Sequence, residues 1–228
     1  MSKKDFANRP VKGKVVPLSR MVFVVQRALY VLFDPSPLRE LTHHYGLRES
    51  LKIEGFMRPK QYHWFEQLFA QHDIANVAEV GFNAGHSAFA FANLGAKNIT
   101  SFDIGEHTYV RQGEAYIKQR FPQVHLELII GDSRQTVPAY KGNDIFDAVF
   151  IDGGHSYEAA ASDIASLHKL AKPGAFIIMD DYLPRYSWSP LGPKRAYDEA
   201  VAKGTIEPIE VVSGDLRGWA LGRYKKRQ

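Results

Sequence analysis

The feature that most constrains this chain is the alternation of short apolar runs with helical stretches from Asn76 onward. A parallel sheet covered by helices on both faces buries its strands completely, so such strands are continuous apolar runs. The runs are Val77–Val80, Ile99–Phe102, Leu126–Ile130, Ala148–Ile151 and Ala175–Met179, and the helical stretches between them are Ser87–Leu94, Tyr109–Phe121 and Tyr157–Leu170. The alternation predicts an α/β fold with an open, doubly wound and mostly parallel sheet.

The C-terminal part of the chain has a different pattern. A helical stretch, Pro193–Lys203, is followed by the apolar runs Ile209–Val212 and Trp219–Tyr224, with the turn Gly214–Gly218 between them. Two strands joined so closely must pair antiparallel, because a parallel crossover needs a dozen or more residues. We therefore expect a C-terminal antiparallel hairpin after the parallel strands.

Charge is distributed unevenly along the 228 residues. Residues 1–60 contain 12 Lys and Arg against 5 Asp and Glu, whereas the remainder contains 17 against 20. We interpret the basic N-terminal end as a solvated arm, with contact to phosphates or acidic lipids as the alternative. No basic-aromatic motif recurs, so we expect no nucleic-acid partner. The chain has no cysteine, which excludes disulfides, zinc-thiolate sites and thiol nucleophiles.

The segment Leu18–Phe33 is the most apolar part of the N-terminal region. It is too short for a bilayer span, and it contains Arg20, Gln26 and Arg27. No signal-peptide cleavage pattern follows it. We expect an amphipathic helix that packs on the body or forms a homo-oligomer interface, with a membrane surface as the alternative. We predict that the protein has no membrane span and is cytoplasmic.

Polar residues follow the first three strands at points where a parallel sheet binds ligands. The first strand leads into the loop Gly81–Ser87, in which the spacing Gly81-x-Asn83-x-Gly85 differs from the dinucleotide fingerprint G-x-G-x-x-G. Asp103 ends the second strand, where an acid can accept hydrogen bonds from ribose hydroxyls. Asp132 and Ser133 follow the third strand and are candidates to read an adenine edge. The alternative is that Asp103 and Asp132 only cap the following segments.

Three carboxylates follow the fourth and fifth strands. Asp152 follows Ile151, and Asp180 and Asp181 follow Met179. Parallel strands end at the same edge of a sheet, so these side chains can converge, and crowded carboxylates repel unless a cation lies among them. Oxygen ligands favour Mg²⁺, Ca²⁺ or Mn²⁺. The alternative is that Asp152 caps a helix and Asp181 forms a turn.

Together, the glycine loop, the strand-end acids and the terminal hairpin resemble the class I S-adenosylmethionine-dependent methyltransferases over Gly55–Tyr224. The resemblance implies a seven-stranded sheet, an N-terminal arm with helices over residues 1–54 and a methyltransferase domain over 55–228. It implies that Glu79 faces the methionine moiety, Asp103 the ribose and Asp132 with Ser133 the adenine. The full implied cofactor site is Glu79, Gly81, Asn83, Gly85, Ser87, Asp103, Asp132, Ser133 and Asp152.

The run Asp152-Gly-Gly-His-Ser-Tyr157 is similar to the metal-dependent O-methyltransferases, especially the macrolide-sugar and aminocoumarin type that tailors antibiotics, and more distantly the catechol type. This resemblance implies a divalent ion, most simply Mg²⁺, held by Asp152, Asp180 and Asp181. It also implies catalytic roles for Asp152 and His155. His155 stands where the catechol type has a lysine base, and it can accept a proton near neutral pH.

These features predict methyl transfer to a hydroxyl of a small molecule, which is a sugar, a phenol or a polyketide-like product. Tyr182, Tyr186 and Trp188 are candidate walls of the acceptor site, and Gly55-Phe56-Met57 resembles the segment that leads into the cofactor domain. Two alternatives stay open at this point. One is a nucleotide-cofactor oxidoreductase, which the missing third glycine disfavours, and the other is a non-catalytic scaffold that binds S-adenosylmethionine.

Overall fold

The protein is built on a seven-stranded sheet with the strand order β3-β2-β1-β4-β5-β7-β6. A computed structural model describes residues 33–50, 53, 57–142, 145–183, 191–214 and 217–227. The strands are β1 Asn76–Val80, β2 Asn98–Asp103, β3 His125–Ile130, β4 Phe146–Ile151, β5 Ala171–Leu183, β6 Ile206–Ser213 and β7 Gly218–Tyr224. Strands β1 to β5 pair parallel, and β7 pairs antiparallel with both β5 and β6. The predicted fold class and the C-terminal hairpin are confirmed.

Helices cover both faces of this sheet. They are α1 Leu38–Ser50, α2 Pro59–Gln71, α3 His86–Asn93, α4 Tyr109–Arg120, α5 Ser133–Ala139, α6 Tyr157–Leu170 and α7 Gly192–Ala202. The apolar patterns predicted α3, α4, α6 and α7 to within a few residues. They did not predict α5, because this helix is a short one with Pro138 inside it and a single buried residue, Val137.

Two hydrophobic clusters, one on each face, explain why the strand sequences are apolar throughout. In β5, Phe176 and Ile178 belong to the cluster that contains residues of α1 to α4, whereas Ile177 and Met179 belong to the cluster of α5 to α7. Successive side chains of a strand point to opposite faces, so a strand covered on both sides needs apolar residues at every position. The two-sided burial predicted from the sequence is therefore observed.

The edge strand β6 differs from the central strands. Its residues Ile209 and Val211 are about half exposed, at 49% and 50%. An edge strand has a neighbour on one side only, so its apolar residues are less completely covered. The terminal hairpin thus adds a partly exposed edge to an otherwise buried sheet.

The structure describes only part of the N-terminal region for which the sequence made predictions. Most of Leu18–Phe33 lies outside the described residues, and Phe33 itself is exposed. Leu38, Leu41 and Tyr45 of α1 are buried in the same cluster as residues of the sheet. Among the helices that the structure describes, none is long and apolar enough to cross a membrane.

Candidate active site

The carboxyl ends of the central strands are aligned by the sheet register. Val80 of β1 pairs with Phe102 of β2 and with Ile151 of β4, and Ile151 pairs with Met179 of β5. Each of these residues is followed by a residue of the predicted site. Parallel pairing therefore brings the end of β1, the end of β2, the end of β4 and the middle of β5 to one edge, as predicted from the sequence.

Gly81 allows the ends of β1 and β4 to approach closely. Its φ angle is 96°, and a Cβ atom at this position would lie 2.1 Å from the carbonyl oxygen of Asp152. The Asp152 amide in turn donates to the Val80 carbonyl over 2.9 Å. Any larger residue would both strain the backbone and separate the two strand ends, which explains the glycine at this position.

Asp103 organises the loop that follows β1. Its Oδ2 accepts a hydrogen bond from the backbone amide of Asn83 over 2.8 Å, and its Oδ1 accepts one from the Gly105 amide over 2.7 Å. Asn83 has a φ angle of 51°, a left-handed conformation that a residue other than glycine rarely adopts. The carboxylate of Asp103 thus fixes the glycine loop and the turn after β2 at the same time.

A cavity of about 420 Å³ lies at this edge of the sheet. Six of the nine predicted cofactor residues line it: Gly81, Asn83, Asp103, Asp132, Ser133 and Asp152. The lining also includes residues that the sequence patterns did not single out, among them Ile104, Glu106, His107 and Arg134. Ile104 is 58% exposed, so the cavity has an uncovered apolar wall.

The other three predicted cofactor residues do not line the cavity. Glu79 is fully buried in β1, and its Oε1 accepts a hydrogen bond of 2.6 Å from Ser101. Burial raises the pKa of Glu79 to about 7, against the hydrogen bonds from Ser101 and Ser87. Ser87 is buried in α3, and Gly85 precedes this helix with a φ angle of 83°.

Asp132 caps α5, as the alternative interpretation expected. Its side chain accepts a hydrogen bond from the Arg134 backbone amide over 3.0 Å and forms an ion pair with the Arg134 guanidinium at 2.5 Å. Hydrogen bonding from Arg134 lowers the pKa of Asp132. Asp132 nevertheless lines the cavity, so capping and ligand contact are compatible at this position.

An acidic cluster adjoins the cavity. One ligand atom each from Asp152, His155 and Asp181 lies within 4.8 Å of the others, a spacing that suits a metal ion. Asp180 lies beside them and accepts a hydrogen bond of 2.9 Å from the Gln61 amide at its Oδ1. Asp152 belongs to both the cluster and the cavity lining, so the two regions share a side chain.

Burial and mutual repulsion separate the pKa values of the three carboxyl groups. Burial, followed by the charges of Asp180 and Asp181, raises the pKa of Asp152 well above its usual value. Burial and the charge of Asp181 raise the pKa of Asp180 to about 6. Burial also acts to raise the pKa of Asp181, but hydrogen bonds from His155 and Arg217 outweigh it and lower that pKa. The crowding therefore opposes ionisation of Asp152 and Asp180, whereas the hydrogen-bond donors around Asp181 favour its charged form.

Asp181 has an unusual backbone and an uneven hydrogen-bonding pattern. Its φ angle is 53°, and it lies where the pairing of β5 with β7 is irregular, between Met179 and Leu183. Its Oδ2 lies 2.8 Å from His155 Nε2 and accepts a hydrogen bond from Arg217, whereas its buried Oδ1 has no hydrogen-bond partner in the described part of the chain. A buried acceptor of this kind fits a cation ligand.

Strand β5 runs further than the sequence predicted. The apolar pattern ends at Met179, and so does the parallel pairing with β4, but β5 continues to Leu183, which pairs with Gly218 of β7. Asp180 and Asp181 therefore lie within a strand that only the hairpin extends. The sequence could not show this, because antiparallel pairing with β7 places no apolar requirement on these positions.

Two further residues of the cluster, Gln61 and Arg217, were missed by the sequence analysis. Gln61 is a buried polar residue of α2 that lies 119 positions from its partner Asp180, and Arg217 lies in the hairpin turn. Of the predicted acceptor-site aromatics, Tyr182 donates a hydrogen bond to Asp198 over 2.8 Å. Tyr186, Trp188, Gly55 and Phe56 lie outside the described residues, and Met57 is buried.

Comparison with known proteins agrees with this architecture. Residues 78–182 match a family described as "Methyltransferase domain". No curated protein matches the chain.

Solved structures are similar in fold at low sequence identity. The O-methyltransferase from Bacillus cereus in complex with SAH has 19% identity and a TM-score of 0.68, with 88% of this chain and 97% of that chain covered. TomG from Streptomyces achromogenes, an O-methyltransferase involved in tomaymycin synthesis and in complex with SAM, has 16% identity and a TM-score of 0.66, with 90% and 96% covered. Cofactor-bound Rv0187 from MTB has 17% identity and a TM-score of 0.70, with 94% and 100% covered. The chain therefore has the fold of the class I S-adenosylmethionine-dependent methyltransferases, and its residues 78–182 match a methyltransferase domain.

Proposed function

We propose that the protein is an S-adenosylmethionine-dependent O-methyltransferase that requires a divalent cation and acts on a hydroxyl group of a small molecule. The observation that carries the proposal is the acidic cluster beside the cavity, with Asp152 common to both. An enzyme that moves a methyl group must hold the donor and the acceptor oxygen next to each other. The shared residue supports this arrangement.

The cavity residues fit the ribose and the adenine of S-adenosylmethionine. Asp103 is suited to the ribose, because each of its oxygens has lone pairs beyond the one used for a backbone amide. Ser133 and Asp132 would contact the adenine, and Ile104 would offer an apolar surface to its ring. Glu79, which the resemblance assigns to the methionine moiety, is fully buried and bonded to Ser101 and Ser87, so its role would be to hold these two side chains. When bound, S-adenosylmethionine supplies a methyl sulfonium group.

The cluster residues fit a hard divalent cation such as Mg²⁺. Asp152, Asp180 and Asp181 would hold it, and the unpartnered Oδ1 of Asp181 together with the repulsion among the three carboxyl groups supports this assignment. A bound divalent cation lowers the pKa of a hydroxyl group and fixes its oxygen. TomG and the Bacillus cereus protein, which have similar structures, are O-methyltransferases. This similarity favours oxygen as the atom that is methylated here.

His155 would take the proton from the acceptor. Its Nε2 lies 2.8 Å from Asp181 Oδ2, and its side chain is 44% exposed. If Nε2 donates to the carboxylate, Nδ1 keeps a lone pair that can accept the hydroxyl proton, and Asp181 stabilises the imidazolium that results. The deprotonated hydroxyl oxygen would be the nucleophile for the methyl group that bound S-adenosylmethionine would supply, with the thioether S-adenosylhomocysteine as the leaving group.

The proposal is tested by incubating the purified protein with methyl-labelled S-adenosylmethionine and a library of sugars, phenols and polyketide-like compounds. We expect label transfer in Mg²⁺, and its loss in excess chelator while S-adenosylmethionine binding measured by calorimetry persists. Full transfer in chelator would contradict the metal requirement. Binding of NAD in preference to S-adenosylmethionine would indicate an oxidoreductase, and cofactor binding with no transfer to any compound would indicate a scaffold.

A further inference from the structure

Arg217 contacts the acidic cluster from the C-terminal hairpin. It directly precedes Gly218, which pairs with Leu183 at the end of β5. A Cβ atom on Gly218 would lie 2.4 Å from the Val212 carbonyl oxygen and 2.7 Å from Leu183, so a glycine there lets the hairpin come close to β5. The Arg217 guanidinium thereby reaches Asp181 and donates to its Oδ2.

The two oxygens of Asp181 have separate surroundings. Oδ2 receives both Arg217 and His155, and Oδ1 is buried with no hydrogen-bond partner within the residues described. Two donors on one oxygen prevent the carboxylate from rotating, because rotation would break both contacts and move Oδ2 into the place of Oδ1. The side chain is only 12% exposed, so water cannot easily replace either donor.

Of these two donors, Arg217 carries a permanent positive charge. A guanidinium stays protonated at all relevant pH values. The Asp181 backbone also adopts a left-handed conformation, which persists only where the surroundings hold it.

We propose that Arg217 is a positioning residue, which holds Oδ2 of Asp181 so that Oδ1 remains directed to the divalent cation. The inference rests on the proposed function, since it concerns the same cation. Hydrogen-bonding partners of metal ligands orient those ligands, and their loss typically weakens metal binding 10- to 100-fold. Arg217 thus makes the hairpin part of the metal site, although none of its atoms is a metal ligand.

Two other roles for Arg217 give different results. An ordinary surface ion pair contributes little, so its removal would leave metal affinity unchanged. A cation that competes with the metal for Asp181 would, when removed, make metal binding tighter. Metal affinity therefore separates the three roles without any measurement of methyl transfer.

The test is a titration with Mn²⁺, in which electron paramagnetic resonance measures the free ion. We compare the parent protein with Arg217→Gln, Arg217→Lys and the control Arg223→Gln, which removes an arginine of β7 that donates to the Gly174 carbonyl. The expected results are a dissociation constant about 10- to 100-fold higher for R217Q, a partial return toward the parent value for R217K, and no change for R223Q. The affinity for S-adenosylmethionine should stay unchanged in all of them.

An unchanged or lower dissociation constant for R217Q, with the parent binding Mn²⁺, would overturn the role of Arg217 and leave the proposed function standing. A parent protein that binds no Mn²⁺ would overturn both. If R217Q does not fold, R217K is the test, because lysine keeps the positive charge but lacks the planar guanidinium. Weaker Mn²⁺ binding by R217K than by the parent supports the proposal, and equal binding refutes it.

Discussion

The cavity and the acidic cluster lie side by side at one edge of the sheet, but their carboxyl groups have different surroundings. In the cavity, Asp103 accepts hydrogen bonds from two backbone amides. Asp132 accepts one from a backbone amide and forms an ion pair with the Arg134 guanidinium. In the cluster, burial and repulsion raise the pKa values of Asp152 and Asp180. The cavity carboxylates are thus held by hydrogen bonds within the chain, whereas in the cluster burial and like charges oppose the ionisation of Asp152 and Asp180.

Under the proposed function, the cavity residues bind the cofactor and the residues of the acidic cluster take part in the reaction. Backbone amides and an adjacent arginine keep Asp103 and Asp132 in place at low cost, since each of these carboxylates accepts hydrogen bonds from nearby donors. Crowded buried carboxylates are destabilising by themselves and persist at functional sites. Changes in the cluster should therefore affect the rate most, and changes in the cavity should affect cofactor affinity.

The largest expected effect comes from His155→Ala. Removal of a positioned base should lower the rate of methyl transfer by about 10²- to 10⁴-fold, while Mn²⁺ and S-adenosylmethionine affinities stay close to those of the parent. Single-turnover kinetics together with calorimetry would measure both quantities. His63→Ala is the matched control, because His63 is an exposed histidine of α2 that pairs with Glu66 at 2.7 Å. A rate within a few-fold of the parent would exclude His155 as the base.

A smaller effect, confined to the cavity, is expected for Asp103→Ala. The substitution removes the acceptor of the Asn83 and Gly105 amides as well as the proposed ribose contact. S-adenosylmethionine binding should weaken by about 1–3 kcal/mol, and Mn²⁺ affinity should not change. Calorimetry on this variant and on Glu207→Ala, an exposed acid of β6, provides the comparison. Unchanged cofactor affinity would show that Asp103 does not contact the cofactor.

Another expected effect is on stability in the absence of metal, and it concerns Asp180. A carboxyl group whose folded pKa is raised costs nothing below its ordinary pKa of 3.8, and the cost grows as pH rises toward the folded value of about 6. Asp180→Asn removes that cost, so the metal-free variant should be more stable at pH 7 by up to about 2–3 kcal/mol, at ~1.4 kcal/mol per pKa unit. The gain should shrink as pH falls toward 4.

Urea denaturation in chelator at several pH values measures this stability gain. The control Asp198→Asn alters an exposed carboxylate of α7, paired with Lys194 at 2.6 Å, and should show no such gain. Excess Mg²⁺ should reverse the order of stability at pH 7, because the cation would stabilise the parent cluster more than the variant. A variant that is less stable than the parent in chelator would mean that Asp180 is compensated within the chain.

The sequence by itself determined the architecture and the edge at which the site lies. Short runs that are apolar without alternation indicate strands covered on both faces of a sheet. Polar residues that directly follow such strands lie at one edge of a parallel sheet. The short turn before Trp219 required an antiparallel hairpin. Those arguments use local patterns and strand direction only, and they placed Asp103, Asp152 and Asp180 correctly at that edge.

Only the tertiary structure decided which side chains complete each site. Gln61 reaches Asp180 across 119 positions and Arg217 reaches Asp181 across 36, and no local pattern encodes contacts over such separations. The extension of β5 to Leu183 depends on its register with β7. Which oxygen of Asp181 accepts the Arg217 hydrogen bond follows from how the hairpin packs against β5. Side-chain partners are set by packing between distant elements, whereas strand ends are set by the local sequence.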